Sequence, residues 1–206
     1  FKAGQCELVT LSLLRAKQFN HIVGSLAAPG NLPDYAHAKT LLNTLANPAF
    51  AKLAINGPYQ IAAVAPIGSI FVMVNDRQIN SIEKAAGKKV AVLEWDKSQA
   101  KMIAGIGAQP VPSDITNFAG KFNNGQVDII AAPAIAFKPL ELEKGLKDKG
   151  AIFRFPLLIA HGAVVIRRDR ILPQVPDLDA RLQSLQQLGL QQIDTLIAIL
   201  KRHEAE

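Results

Sequence analysis

Short apolar runs alternate with segments of helical periodicity along this chain. Val127–Ala132 is a continuous apolar run, typical of a strand buried in a parallel sheet. Lys89–Leu93 is a second short strand candidate, and Asp34–Leu45 repeats apolar residues at helical spacing behind a capping aspartate. Since strands and helices alternate, the pattern predicts an α/β fold in which mostly parallel sheets are flanked by helices.

The remaining elements follow from the same periodicities and from turn residues. Pro66 and Gly68 predict a break between two β-rich runs, and Arg15–Gly24 reads as a polar connection. Further strands are predicted at Tyr59–Ala65, Ile70–Val74, Gln109–Val111, Ile152–Leu158 and Ala163–Ile166, and further helices at Ser98–Ile106, Asp114–Asn124, Pro173–Leu188 and Leu190–His203.

One stretch of sequence occurs twice. Phe122–Pro133 reads as a helix end, a glycine turn and a short strand, and Phe1–Ser12 repeats it. Phe1, Gly4, Gln5 and Glu7 match Phe122, Gly125, Gln126 and Asp128 at a constant offset of 121 residues. Such a repeat predicts two related α/β lobes, although short junctions of this kind often carry glycine by chance.

The repeat also bears on the start of the chain. The second copy is preceded by a strand and helices from Lys88 onward, whereas the first copy begins at Phe1. We therefore expect the chain to be a fragment that lacks an N-terminal strand and helix of the first lobe. A signal peptide would then also lie outside this sequence.

Composition and charge narrow the class of partner. The chain has 206 residues, of which 49% are hydrophobic and 19% charged, which is typical of a folded globular protein. The net charge of +6 suits an anionic ligand, but the basic residues are scattered among acids and aromatics make up only 6%. These features argue against a nucleic-acid partner.

Cysteine, histidine and motif content predict no cofactor, no metal site and no catalytic residue. Cys6 is the only cysteine, so no intrachain disulfide can form, and its place in an apolar strand predicts a buried thiol. A cysteine in a missing N-terminal segment could pair with it. The four histidines are dispersed, without the paired spacing of metal ligands.

Candidate binding residues lie where strands end, because ligands of open α/β sheets gather at the carboxyl ends of strands. Trp95 could form a cleft wall or a structural contact, and Ser98 could bind an anion or cap a helix. Arg15 could hold a carboxylate or lie on the surface, while the small serines could be turn residues. The predicted ligand-binding set is Ser12, Arg15, Ser69, Glu94, Trp95, Asp96, Ser98 and Pro133.

Three segments in a fixed order carry a resemblance to a known family. Ser81–Val92, Ile106–Val111 and Phe122–Pro133 resemble the second lobe of type 2 periplasmic solute-binding proteins, in particular bacterial proteins related to TRAP-type transporter receptors. Gly4–Glu7 resembles the matching signature of the first lobe. The resemblance runs from Phe1 to about Asp169.

The resemblance implies a two-lobed fold of the type 2 periplasmic-binding class. Residues 1–66 would form lobe I, 67–170 lobe II, and 171–206 C-terminal helices that pack on lobe I or the hinge. It implies a secreted, periplasmic, monomeric protein that closes on a small-molecule solute and hands it to membrane transporter subunits. TRAP-type proteins carry an arginine for the solute carboxylate where this chain has Ala91, so Arg15 would have to replace it.

Two other function classes remain open. The fold also occurs in the effector-binding domain of LysR-type transcription regulators, which would require an upstream helix-turn-helix. An enzyme on the same fold would use Glu94 or Asp96 for proton transfer. The missing upstream sequence would separate the first of these from a solute receptor.

Overall fold

A computed structural model describes residues 1–28 and 30–205. The chain divides into two compact units. The first unit contains Phe1–Ser69 and Leu157–Glu206, and the second contains Ile70–Pro156.

Helices and short strands alternate through most of the chain. The strands are β1 (Leu8–Ser12), β2 (Ile55–Asn56), β3 (Tyr59–Val74), β4 (Lys89–Leu93), β5 (Gln109–Ser113), β6 (Ile129–Pro133), β7 (Ala151–Ile152) and β8 (Leu158–Arg167). The α-helices are α1 (Leu13–Ala16), α2 (His21–Leu26), α3 (Tyr35–Leu45), α4 (Ile82–Ala85), α5 (Lys97–Gly105), α6 (Phe118–Asn123), α7 (Glu143–Leu146), α8 (Arg168–Ile171), α9 (Leu178–Gln191) and α10 (Ile193–Ala205). Two 3₁₀ helices cover Pro48–Ala54 and Ala134–Ala136.

In the first unit, β8 lies between β1 and the first part of β3, and β2 pairs with β3. β1 and β8 are antiparallel, with Leu8 opposite Ile166 and Ser12 opposite Gly162. The buried face of β8 packs on α1 through Val165 and on α3 and α10 through Ile159. The C-terminal helices therefore contribute directly to the core of this unit.

In the second unit, β4 lies between β5 and β6 and runs parallel to both. The last five residues of β3 pair antiparallel with β6, and β7 pairs with the end of β3. Phe122, Val127, Ile130 and Leu142 are almost completely buried and form one core cluster. The α/β class predicted from the sequence is confirmed, but the prediction that each sheet is mostly parallel is wrong. In the first unit β1–β8 and β2–β3 pair antiparallel, and in the second unit β3 runs against β6 and β7, so that only β4–β5 and β4–β6 are parallel among the described pairings.

The sequence repeat has a structural counterpart in the two units. β1 and β6 begin and end 121 residues apart, as the pattern predicts. Gly4 and Gly125 both adopt left-handed backbone, with φ of 78° and 71°. In each copy the glycine N–H donates to the phenylalanine carbonyl three residues earlier, at 2.9 Å from Gly4 to Phe1 and at 3.0 Å from Gly125 to Phe122.

The borders of the two units differ from the predicted lobes. The prediction assigned residues 67–170 to the second lobe, whereas the second compact unit ends at Pro156. The physical reason is β8, which follows this border and pairs with β1 of the first unit. α10 also packs in the first unit, where Ile193, Ile197 and Leu200 contact α3.

Several local predictions were wrong. β3 is one strand of sixteen residues and does not break at Pro66 and Gly68. Arg15–Gly24 is not an irregular connection but carries parts of two short helices, the second capped by Asn20. Cys6 is exposed rather than buried, since it precedes β1 and does not lie within it.

Within residues 1–28 and 30–205, none of the helices has both the length and the apolar character that a membrane span requires.

Candidate ligand-binding residues

The carboxyl ends of three strands meet at one edge of the second unit. Because β4 runs parallel to β5 and β6, the residues that follow these strands lie at the same edge of the sheet. Glu94 directly follows β4, has an exposed side chain, and donates its backbone N–H to the Ser113 carbonyl at 2.9 Å. Trp95 is half-buried beside it, and Pro133 ends β6.

Asp96 caps the helix that follows this edge. Its carboxylate accepts hydrogen bonds from the backbone N–H groups of Ser98 at 3.1 Å and Gln99 at 3.3 Å. The Gln99 side chain in turn accepts from Leu93 N–H at 2.6 Å, which fixes α5 to the end of β4. The capping role that the sequence suggested for Ser98 therefore belongs to Asp96, which is only 6% exposed.

Ser113 is a residue at this edge that sequence reasoning missed. It ends β5, is almost completely buried, and donates its hydroxyl to the Val111 carbonyl at 3.1 Å. Lys121 Nζ approaches the same hydroxyl at 3.4 Å. The missed signal was the length of β5, which continues two residues beyond the predicted Gln109–Val111 strand.

The first unit carries Ser12 and Arg15 at the end of β1. The Ser12 hydroxyl caps the start of α1 by accepting a hydrogen bond from the Arg15 backbone N–H at 3.3 Å. Both side chains are exposed. The structure thus brings one hydroxyl and one guanidinium to the carboxyl end of this strand, within one helical turn of each other.

Ser69 lies within β3 and is not a turn residue. It is buried, and its backbone N–H donates to the Glu204 carboxylate at 2.9 Å. The Tyr35 hydroxyl donates to the same carboxylate oxygen. Burial, together with this bond to Glu204, raises the pKa of Tyr35 well above its usual range. The three residues join β3, α3 and α10.

His161 is a second residue that the sequence did not single out. It is 3% exposed, and its Nδ1 lies 2.9 Å from the Ile159 carbonyl, which makes Nδ1 the protonated nitrogen. Among the described residues, nothing bonds to its Nε2. Burial lowers the pKa of His161 and so favours the neutral ring, in which Nε2 is an acceptor. The adjacent Gly162 pairs with Ser12.

The residues at the strand ends of the first unit and those at the strand ends of the second unit are each suited to non-covalent recognition of a polar molecule. Hydroxyl and carboxylate groups can exchange hydrogen bonds, a guanidinium can hold an acid, and an indole can cover an apolar face. Arg15, Trp95 and Asp96 also make interactions within the protein.

Comparison with known protein families shows which family the chain belongs to. The profile of the family described as "Solute-binding protein AdeT 1/2" matches residues 1–204. The chain belongs to this family of solute-binding proteins. It is 46% identical over 169 residues to the "Probable solute-binding protein AdeT1" of Acinetobacter baumannii, which covers 82% of the chain and 56% of that relative. It is 27% identical over 145 residues to AdeT2 of the same organism, which covers 70% of the chain and 61% of that relative.

Solved structures share the fold at low sequence identity. A TRAP periplasmic solute-binding protein from Xanthobacter autotrophicus Py2, with bound β-D-galacturonate, has a TM-score of 0.80 at 12% identity, over 99% of this chain and 67% of that one. A TRAP periplasmic solute-binding protein from Ralstonia eutropha H16, with bound (S)-2-acetolactate, has a TM-score of 0.78 at 16% identity, over 99% of this chain and 63% of that one.

The comparisons confirm the resemblance to TRAP-related solute-binding proteins that the sequence motifs indicated. The chain spans 56% and 61% of the length of the two curated relatives that it matches.

Proposed function

We propose that this chain is the solute-binding part of a periplasmic receptor that captures a small molecule and delivers it to a membrane transporter without catalysis. The observation that carries this proposal is the match of residues 1–204 to a solute-binding family. Two further observations support the proposal. The strand-and-turn repeat occurs once in each compact unit, and the fold of a TRAP periplasmic solute-binding protein is shared over 99% of the chain.

We assign solute contact to the strand ends of both units. In the second unit the groups are Glu94, Trp95, Asp96, Ser98 and Pro133, and in the first they are Ser12 and Arg15. We assign a further contact in the first unit to Ser69, which lies within β3 and not at its end. Trp95 would cover an apolar face of the solute, and Arg15 would hold a carboxylate bidentately. Asp96 would act mainly by positioning, because its carboxylate already caps α5.

A carboxylate-bearing solute fits the proposal. The net charge of the chain is +6, which favours association with anions. Solved proteins of the same fold carry acids, including β-D-galacturonate in the Xanthobacter protein and orotic acid in one from Desulfovibrio salexigens. The chain has Ala91 on β4, where the family pattern places an arginine, so the contact to the acid would come from another residue.

Thermal stabilisation by a panel of solutes tests the proposal. Uronic acids, 2-hydroxy and 2-oxo acids and pyrimidine carboxylates would be compared with matched neutral sugars. A solute at a hundred times its Kd should stabilise the folded chain by about 2.7 kcal/mol. Absence of stabilisation by every acid in the panel would contradict the proposed function.

Single substitutions connect a positive result to the proposed residues. Arg15→Gln and Trp95→Ala should each weaken the best solute at least tenfold by calorimetry. The exposed Arg181, on the outer surface of α9, provides a matched control through Arg181→Gln, which should leave the affinity unchanged. Equal losses for Arg15→Gln and Arg181→Gln would remove Arg15 from the site.

A further inference from the structure

A lysine of α6 reaches the strand-end edge of the second unit. The Lys121 ammonium donates a hydrogen bond to the Pro112 carbonyl, and its Nζ lies 3.4 Å from the Ser113 hydroxyl oxygen. That oxygen can accept from Nζ because the Ser113 hydroxyl proton is donated to the Val111 carbonyl. The Ser113 carbonyl in turn accepts the Glu94 N–H. One residue therefore separates the ammonium from the proposed solute contacts at the end of β4.

The topology explains why a helical lysine reaches this edge. β5 and β6 both run parallel to β4, so α6, which lies between them in the sequence, leads from the carboxyl end of β5 back toward the amino end of β6. Helical side chains point toward the amino end of their own helix, which directs Lys121 toward the end of β5. Lys121 is half-buried beside the fully buried Phe122. A lysine in such a place covers apolar surface with its stem and keeps its charged head near water.

The ammonium keeps the capacity to bind an anion. It carries three N–H donors, and the Pro112 carbonyl and the Ser113 hydroxyl account for two of them. Among the residues that the structure describes, these two bonds are its only hydrogen bonds, and no ion pair adds to them. Hydrogen bonds from Thr116 are the main reason that the pKa of Asp114 lies below its usual value, and attraction by Lys121 contributes least. The lysine charge is therefore not taken up by a close pair with Asp114.

The acidic side chains at the end of β4 oppose this charge only weakly. The Asp96 carboxylate faces the backbone N–H groups of Ser98 and Gln99, from which it accepts at 3.1 and 3.3 Å. Glu94 is exposed, and the high dielectric constant of water weakens the effect of its charge. For an anionic group in direct contact with the ammonium, the attraction therefore outweighs the repulsion by these more distant acids.

We propose that Lys121 is a further solute-contact residue, whose ammonium donates a hydrogen bond to an acid group of the solute at the edge of the second unit. This inference rests on the proposed function, because it adds a residue to the same set of solute contacts. A lysine ammonium is a compact charge without the planar fork of an arginine, so it recognises the charge of an acid group more than its shape. The chain should therefore favour a carboxylate over the uncharged amide of the same molecule.

Calorimetry with matched acids and amides provides the test. The probes are the acids of the panel above, among them D-galacturonate, lactate and orotate, each compared with its primary amide. For an acid that the parent chain binds, Lys121→Gln should weaken the acid at least tenfold and change the affinity for the amide less than twofold. Lys121→Arg should retain the affinity for the acid, because it retains the positive charge. A lysine that only joined α6 to β5 would, when replaced, weaken acid and amide equally.

An exposed lysine at the other end of β4 provides the matched control. Lys84 lies on α4, which precedes the amino end of β4. Lys84→Gln removes the same charge and should leave the affinities for acid and amide unchanged. An unchanged affinity for the acid in Lys121→Gln, equal losses for acid and amide, or the same loss in Lys84→Gln would overturn this inference and leave the proposed function intact. Absence of binding of every acid of the panel by the parent chain would overturn both.

Discussion

Asp128 and Glu7 occupy equivalent positions in the two copies of the repeat, but we predict that only Asp128 is important for stability. The Asp128 carboxylate accepts Lys89 N–H at 2.8 Å and the Asn75 side-chain amide at 3.0 Å. It thereby holds the start of β4 against the end of β3. Glu7 makes an ion pair with Arg170 at 3.7 Å, and both of these side chains are substantially exposed.

The expected magnitudes follow from these contacts. A hydrogen bond to a charged group contributes about 1.5–3 kcal/mol, and the half-buried position of Asp128 favours the lower end for each of its two bonds. Asp128→Ala should therefore lower the free energy of unfolding by about 3 kcal/mol. Glu7→Ala removes an exposed ion pair and should cost about 0–1 kcal/mol.

Urea unfolding followed by tryptophan fluorescence is the appropriate assay for Asp128→Ala. Trp95 is the only tryptophan of the chain and lies in the second unit, as does Asp128, so it reports directly on the affected unit. Asp128→Asn should lie between Asp128→Ala and the parent, because the amide retains an acceptor. Equal midpoints for Asp128→Ala and Glu7→Ala would refute the assignment of an anchoring role to Asp128.

Two further predictions concern packing and pH. Gly145→Ala should destabilise the second unit by about 1–3 kcal/mol in the same urea assay, because the added methyl group would overlap the buried Phe122 ring; an unchanged midpoint would contradict this packing. Burial makes the pKa of His161 lower in the folded chain than in the unfolded chain. As the pH falls below about 6.5, the unfolded chain therefore binds a proton at this residue before the folded chain does. The free energy of unfolding should then decrease by up to ~1.4 kcal/mol per pH unit. His161→Gln should flatten this slope, whereas substitution of the exposed His37 should preserve it.

The parts of the fold that could be predicted are those with strong local signals. β4 has the predicted bounds, and α3 begins after Asp34, whose carboxylate accepts His37 N–H at 2.9 Å. The repeat predicted that β1 and β6 would be equivalent strands, because a left-handed glycine at the same offset imposes the same turn before each of them.

The failures have identifiable physical causes. Pro66 and Gly68 were expected to end a strand, yet β3 continues through them, because pairing with β6 begins at Ile70 and Pro66 need not donate to that ladder. α2 was missed because this short helix buries only Val23, so its apolar periodicity is weak. The tertiary partners that decide both cases are distant in sequence.

The candidate site was predictable only in part. Strand ends point to Glu94 and Pro133 because their position follows from local periodicity. The link from Ser69 to Glu204 spans 135 residues and depends on where α10 packs, which no local pattern specifies. His161 has no partner for Nε2 among the described residues, and that property exists only in the folded chain.

Titration of Trp95 fluorescence with carboxylate solutes tests the central claim most directly. Trp95 is half-buried at the end of β4, where a bound solute would change its surroundings. We predict a saturable change in emission with one solute per chain for at least one acid. Emission that stays constant with every acid, while the chain remains folded, would contradict a solute-binding role for these strand ends.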